Sequence, residues 1–172
     1  IVSPDVGAVE RNKFYASILG RPLAMLYKER DYSRVAQTAE HGNITDMRLL
    51  GSVAGKTVLM CDDMLGTGGT MIKAMRVLKD LGAARVIAAA SLPLFTARAV
   101  DSFDAAWREG LFHRIIGTNA VFLGDEVLAR EWYLSVDVSN LFARILWRLH
   151  HNRSLGSLLD DRSVIKDLLK RS

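Results

Sequence analysis

The sequence predicts a single α/β domain over residues 1–172, with a mostly parallel sheet flanked by helices. Short apolar runs alternate with helical patterns, which is typical of a parallel sheet covered by helices. One run, VLMC at 58–61, is apolar throughout, as expected of a strand buried on both faces. With 172 residues and 49% apolar content, the chain can bury one sizeable core.

The apolar runs and the helical periodicity place the elements along the chain. Gly82 is expected to end one helix in the left-handed conformation. The start of the chain, IVSP, is typical of the end of a strand. Further strands are predicted at 22–28, 56–63, 85–91 and 113–119, and helices at 8–19, 69–81, 97–110, 137–150 and 161–170.

Two segments lie outside this alternation. Residues 29–43 are polar and aperiodic, and a long connection of this kind in a compact domain is typical of a functional loop. Residues 151–172 carry enough leucine to dock as a helix, with a frayed tail as the alternative. Because the chain begins with Ile1 inside a strand-like pattern, we expect it to be part of a longer protein.

Composition narrows the function classes. The 23 basic residues exceed the 19 acidic residues only slightly, which suits anionic ligands but does not predict nucleic-acid binding. Cys61 is the single cysteine, so no internal disulfide forms, and a cytoplasmic location is predicted. The longest apolar run, VIAAASLPLF, is about half of a membrane span and contains Pro93, so no membrane segment is predicted.

The stretch CDDMLGTGGT, residues 61–70, is the strongest motif. The apolar run ends at Asp62 and Asp63, which places both acids at the carboxyl end of the sheet, where open α/β sheets bind ligands. Since side chains alternate along a strand, we expect one acid to contact a ligand and the other to hold the loop.

A glycine-rich loop follows the acids and leads into a helix. The glycines can take positive φ and let a ligand approach the main chain, while the threonines offer hydroxyls and a helix cap. Amide groups at a helix N-terminus bind anions. The loop residues are Gly66, Thr67, Gly68, Gly69 and Thr70.

Together the acids and the loop predict a sugar phosphate ligand, with the phosphate on residues 66–70 and the sugar hydroxyls on Asp62 or Asp63. Carboxylates accept hydrogen bonds from hydroxyls but repel a bare polyphosphate. Neither a Walker loop nor a dinucleotide fingerprint fits, because the lysine of the first and the final glycine of the second are missing.

These residues resemble the phosphoribosyl pyrophosphate signature of proteins with the type I phosphoribosyltransferase fold. Within that group, the chain is similar to the carboxyl-terminal half of ribose-phosphate pyrophosphokinases over nearly its whole length, through IVSPDVG, AMLYKER, RLLGSVAGKTVLMCDD and the closing helix. The resemblance implies a phosphoribosyltransferase-like sheet and transfer of pyrophosphate from ATP to ribose 5-phosphate, with Mg²⁺ as cofactor. It also implies a homo-oligomer.

By resemblance, Lys28 and Arg30 are the catalytic residues and stabilise charge on the phosphoryl oxygens, while the loop at 29–43 closes over the reacting groups. Asp5, in SPDVG, matches an acid near Mg²⁺ and the sugar, although a carboxylate at a helix entry is an equal alternative. Gly66 departs from the resemblance, since an acid usually stands there. Two alternatives therefore stay open: a purine-type phosphoribosyltransferase and a non-catalytic regulatory homologue.

Overall fold

The computed structural model describes residues 1–28, 47–160 and 162–171, and Lys28 only by its backbone. The strands are β1 (Val2–Ser3), β2 (Ala24–Lys28), β3 (Met47–Leu50), β4 (Thr57–Leu65), β5 (Arg85–Pro93), β6 (Arg114–Thr118) and β7 (Tyr133–Val136). The helices are α1 (Val9–Leu19), α2 (Gly69–Asp80), α3 (Ala99–Arg108), α4 (Asp125–Leu128), α5 (Ser139–His150), α6 (Gly156–Leu159) and α7 (Arg162–Leu169).

The described strands form one sheet in the order β3-β2-β1-β4-β5-β6-β7. Every neighbouring pair is parallel except β2 with β3. The predicted α/β class with a mostly parallel sheet is confirmed, and so are the four predicted strands and five predicted helices to within a few residues. The sequence prediction missed β3, β7 and the short helices α4 and α6.

Helix α2 ends as the sequence predicts. Gly82 has a φ of 84°, and its N–H donates to the carbonyl of Lys79 at 2.9 Å. The N–H of Ala83 donates to the carbonyl of Leu78 at 3.0 Å, which completes a Schellman ending. The chain then enters β5, which runs parallel to β4 and aligns Asp62 with Ala90.

An aromatic cluster forms part of the core near the carboxyl ends of β5 and β6. The Phe95 and Phe103 rings lie 5.7 Å apart, and Phe103 also contacts Trp132 at 5.9 Å between ring centroids. The Trp132 indole N–H donates to Asp104 at 2.8 Å. This cluster lies directly beneath the glycine loop, because a Cβ added at Gly68 would meet the Phe103 ring.

The tail is docked only in part. Leu158 in α6 is buried, and α7 packs against α1. Most other side chains of residues 139–171 that are described are exposed. No described helix is long and apolar enough to cross a membrane.

Candidate active site

The acid pair lies near the carboxyl end of β4, which continues for two residues beyond the predicted end at 63. Arg11 of α1 binds both carboxylates: Nη1 lies 3.1 Å from Asp62 Oδ1, and Nη2 lies 3.0 Å from Asp63 Oδ2. One guanidinium thus reaches both acids, and the expected division of roles, with one acid on the ligand and the other on the loop, stays a prediction. Asp62 Oδ1 also accepts the N–H of Asp63 at 2.9 Å, and Asp63 is missing from the pairing register with β5.

The two acids differ in exposure and in charge. The Asp62 side chain is 24% exposed, against 67% for Asp63. Burial raises the pKa of Asp62 above its ordinary value, and the nearby carboxyls of Asp63 and Asp5 act in the same direction. The interaction with the Asp62 carboxyl lowers the pKa of Asp63, and the Arg11 guanidinium contributes. Asp63 is therefore the more readily ionised member of the pair.

Asn12 fixes α1 against β4 immediately before the acids. Its side chain is fully buried; the amide nitrogen donates to the Cys61 carbonyl at 2.7 Å and to the Ala8 carbonyl at 2.9 Å. Its amide oxygen accepts the N–H of Cys61 at 3.1 Å. Because β1 ends at Ser3 and Pro4 has no N–H to donate, Asn12 supplies a donor that the neighbouring strand lacks.

The glycine loop is held closely against the core at one position. Gly68 is the N-cap of α2, with φ 80° and ψ −8°, and a Cβ built there would lie 2.4 Å from the Phe103 ring. Only glycine fits this left-handed position beneath the loop. Gly68 uses the freedom to take positive φ that the sequence suggested, whereas the φ angles of Gly66 and Gly69 lie outside the left-handed region.

Free amides are present at the start of α2. The first backbone hydrogen bond of the helix joins the Ile72 N–H to the Gly68 carbonyl at 2.9 Å, so the N–H groups of residues 69–71 have no acceptor within the helix. The predicted threonine cap is wrong, because no side chain caps α2. Thr67 and Thr70 are exposed instead.

A second segment supports the loop, and the sequence prediction missed it. The N–H groups of Leu94 and Phe95 donate to the Leu65 carbonyl at 2.8 and 3.1 Å, and the Thr96 N–H donates to the Gly66 carbonyl at 3.2 Å. A Cβ at Gly66 would lie 3.6 Å from the Thr96 hydroxyl, which is an ordinary contact distance. The site therefore has space for a side chain at residue 66.

Asp5 lies at the entry to α1. Its Oδ1 accepts the N–H of Ala8 at 2.9 Å, which is the helix-entry role that the sequence offered as an alternative. No group of three or more His, Cys, Asp or Glu in the described residues could hold a metal ion. Carboxylates such as Asp62 and Asp63 suit Mg²⁺ chemically, and Mg²⁺ commonly binds through one or two carboxylates and the phosphates of a substrate. The metal role of Asp5 stays a prediction.

The predicted catalytic residues can be placed only in part. Lys28 is the last residue of β2, opposite Met47 of β3. Since β2 and β4 are both parallel to β1, the end of β2 lies at the same edge of the sheet as the acid pair. Arg30 and the loop at 29–43 lie outside the described residues.

A cavity of about 690 Å³ lies at the opposite edge of the sheet. Its lining includes Ile1, Ala24 and Thr57, at or near the starts of β1, β2 and β4. None of the predicted site residues lines it. Its size therefore does not bear on the chemistry expected at the carboxyl edge.

The sequence profile of the phosphoribosyl transferase domain matches residues 1–119, which include the acid pair and the glycine loop. The chain belongs to this family. This membership and the fold confirm the type I phosphoribosyltransferase-like architecture.

Individual relatives are more specific. The chain is 35% identical over 159 residues to the ribose-phosphate pyrophosphokinase of Prochlorococcus marinus, covering 92% of this chain and 44% of the relative. It is 34% identical over 158 residues to the same-named protein of Wolinella succinogenes, covering 92% and 46%. The crystal structure of phosphoribosylpyrophosphate synthetase from Mycobacterium smegmatis superposes with a TM-score of 0.72 at 28% identity, covering 88% of this chain and 44% of that one.

These comparisons confirm the resemblance to ribose-phosphate pyrophosphokinases. This member of the phosphoribosyl transferase domain family spans less than half the length of the relatives that it matches. Their names describe the longer proteins. The names of these longer relatives do not by themselves assign a ligand or a pyrophosphate transfer to this chain.

Proposed function

We propose that this chain binds ribose 5-phosphate and supplies the sugar site for transfer of a pyrophosphoryl group from ATP. The observation that carries the proposal is the pairing of free helix amides at residues 69–71 with the carboxylates of Asp62 and Asp63 at one edge of the sheet. The amides and the helix dipole suit the 5-phosphate, and the carboxylates suit the vicinal hydroxyls. The names of the relatives support the same substrate.

In this reaction the anomeric hydroxyl of ribose 5-phosphate attacks the β-phosphorus of ATP. A new oxygen–phosphorus bond forms at the anomeric oxygen, the bond between that phosphorus and the α–β bridging oxygen breaks, AMP leaves, and the hydroxyl proton passes to solvent or a base. Such a transfer depends on positioning and on neutralising charge. Lys28 and Arg30 are proposed to supply positive charge, and Mg²⁺, when bound, would neutralise further negative charge on the phosphates.

Binding of ribose 5-phosphate is the primary test. Isothermal titration calorimetry of the full chain with ribose 5-phosphate is expected to show one site per chain. Inorganic phosphate is expected to compete weakly, because it occupies only the loop. A chain that binds neither ribose 5-phosphate nor its 1-pyrophosphate would contradict the proposal at its root.

Catalysis is tested separately, by AMP release from ATP and ribose 5-phosphate with Mg²⁺. If the 172 residues act alone, we expect binding without measurable synthesis, since the matched relatives are about twice as long. In an active preparation, Lys28→Ala is expected to lower kcat by orders of magnitude with little change in ribose 5-phosphate affinity. Unchanged turnover would remove Lys28 from the mechanism.

The change at Gly66 supports a second candidate, a phosphoribosyltransferase that takes phosphoribosyl pyrophosphate as donor to a nucleobase. Gly66→Asp is a direct probe, since the backbone there has room for a side chain. Under the pyrophosphokinase proposal, the added carboxylate is expected to strengthen ribose 5-phosphate binding. Nucleotide formation from a base and phosphoribosyl pyrophosphate would favour the second candidate instead. Failure of both assays despite sugar binding would favour a regulatory homologue.

A further inference from the structure

Arg11 is the residue outside the motif that most directly shapes the acid pair. Its two terminal nitrogens contact different carboxylates, at 3.1 Å to Asp62 and 3.0 Å to Asp63. A planar guanidinium can bridge two acceptors in this way, whereas an ammonium acts as a point charge. Consecutive strand residues tend to point to opposite faces, yet the fork reaches both acids here, at a point where Asp63 is absent from the pairing with β5.

The guanidinium comes from a helix that is itself held in register. The neighbouring Asn12 makes three hydrogen bonds, two of them to the backbone of Cys61, the residue just before the acids. Arg11 is 31% exposed, so its side chain lies partly within the surface. Helix α1 therefore holds the Arg11 guanidinium in place beside the end of β4.

The contacts hold the two carboxylates beside one another. Asp62 Oδ1 accepts from both Arg11 and the Asp63 N–H, and Asp63 contacts Arg11 through Oδ2. The two carboxyls also interact with each other, and the Met64 N–H favours the ionised form of Asp63. Each carboxylate oxygen can accept more than one hydrogen bond, so the pair can receive neighbouring hydroxyls of a pentose.

We propose that Arg11 is a positioning residue of the sugar site, which holds the two carboxylates side by side so that together they accept hydrogen bonds from the vicinal hydroxyls of the pentose. This inference rests on the proposed function and adds a residue to it. Arg11 also offsets the mutual repulsion of Asp62 and Asp63, to which Asp5 adds a third nearby carboxylate. It acts through these acids and not on the phosphate.

The test separates the sugar contribution from the phosphate contribution. Ribose 5-phosphate and inorganic phosphate are each titrated into the wild-type chain, Arg11→Met, Arg11→Lys and Arg76→Met. Arg76 is a matched control, because it pairs with Glu109 at 2.7 Å on the exposed side of α2. The thermal unfolding of each variant is recorded by circular dichroism, so that loss of fold is recognised.

Arg11→Met is expected to weaken ribose 5-phosphate binding about tenfold or more, as for loss of charge-assisted hydrogen bonds, with phosphate affinity unchanged. The ribose 5-phosphate affinity of Arg11→Lys is expected to lie between those of the wild type and Arg11→Met, because lysine keeps the positive charge but cannot bridge two carboxylates as a planar guanidinium does. Arg76→Met should match the wild type. Equal losses for phosphate and ribose 5-phosphate, or no loss in Arg11→Met, would overturn the inference.

A double-mutant cycle keeps the inference testable even if Arg11→Met is unstable. Asp63→Asn is chosen because Asp63 is 67% exposed and its replacement should not disturb folding. If Arg11 acts through the acids, the loss from Arg11→Lys is expected to shrink several-fold in the Asp63→Asn background. Full additivity would contradict the inference. A wild-type chain that does not bind ribose 5-phosphate would instead count against the proposed function, which keeps the two failures distinct.

Discussion

Helices α2 and α5 have the same length of 12 residues, and both carry an apolar stripe. Within the described residues, only α2 packs this stripe against the core. Helix α2 buries four side chains in the core, whereas α5 buries none. The exposed apolar residues of α5 are Leu141, Phe142, Leu146, Trp147 and Leu149. An amphipathic pattern therefore predicts a helix equally well in both cases and does not say whether its apolar face is covered.

Helix α2 belongs to the region that shapes the candidate site, whereas α5 lies outside that region. Helix α2 begins on the glycine loop, so its buried side chains fix the positions of the free amides at 69–71. Helix α5 contributes none of the predicted site residues. Exposed apolar stripes of this kind are characteristic of interaction surfaces.

The largest effect is expected at the start of α2. Gly68→Ala places a Cβ against the buried Phe103 ring and forces a left-handed conformation on alanine. We expect a loss of about 3–5 kcal/mol in the free energy of unfolding, measured by urea denaturation. Gly69→Ala is the control, because nothing lies within 4 Å of its added Cβ and its φ is not left-handed. Equal effects at the two positions would contradict the placement of the loop.

The same truncation in both helices tests the comparison itself. Leu78→Ala in α2 removes a fully buried side chain and is expected to lower the free energy of unfolding by about 3 kcal/mol. Leu146→Ala in α5 removes a side chain that is 66% exposed and should change it by less than about 0.5 kcal/mol. A large loss in Leu146→Ala would show that α5 is covered in solution.

The connection between α1 and β4 gives a further contrast. Asn12→Leu leaves the buried N–H and carbonyl of Cys61 without their side-chain partner, so we expect a loss of about 2–3 kcal/mol. Asn140→Leu, on the exposed surface of α5, should be nearly neutral. Urea denaturation of both variants checks this. Ribose 5-phosphate binding should also weaken in Asn12→Leu, because Arg11 loses its support.

Thiol reactivity provides a further contrast between the buried strand β4 and the exposed helix α5. Burial raises the pKa of the Cys61 thiol to about 11. A shift from its ordinary 9.0 lowers the thiolate fraction at pH 8 about a hundredfold, so alkylation by iodoacetamide should be at least that much slower than for an exposed thiol. Leu146→Cys supplies that exposed thiol in α5, and mass spectrometry distinguishes the two sites. Comparable rates would show that Cys61 is accessible.

The parts of the site that are continuous in sequence could be predicted, and the parts that depend on distant contacts could not. The run 57–70 revealed a buried strand, an acid pair and a glycine loop, because each is a local pattern. Arg11 and Asn12 belong to an ordinary helical segment, and their partners lie about fifty residues away. Strand alternation gave no sign that a single side chain from α1 contacts both acids.

The missed strands have a physical explanation too. Strand β3 is a short antiparallel edge that alternates between half-buried and exposed side chains, and it follows directly on a polar segment. Strand β7 is four residues long and mostly exposed, so it lacks the continuous apolar run that marked β4. Both edges depend largely on pairing to a neighbouring strand, which a single sequence does not display.

The segment after β5 has an unfavourable backbone conformation beside the candidate site. Phe95 and Ala97 have φ angles of 44° and 55°, a conformation that costs L-residues about 1–2 kcal/mol each. Two backbone hydrogen bonds to Leu65 and the aromatic rings around Phe95 keep it in place. The glycine loop therefore rests on a segment whose unfavourable backbone conformation is maintained by its contacts with Leu65 and the aromatic core.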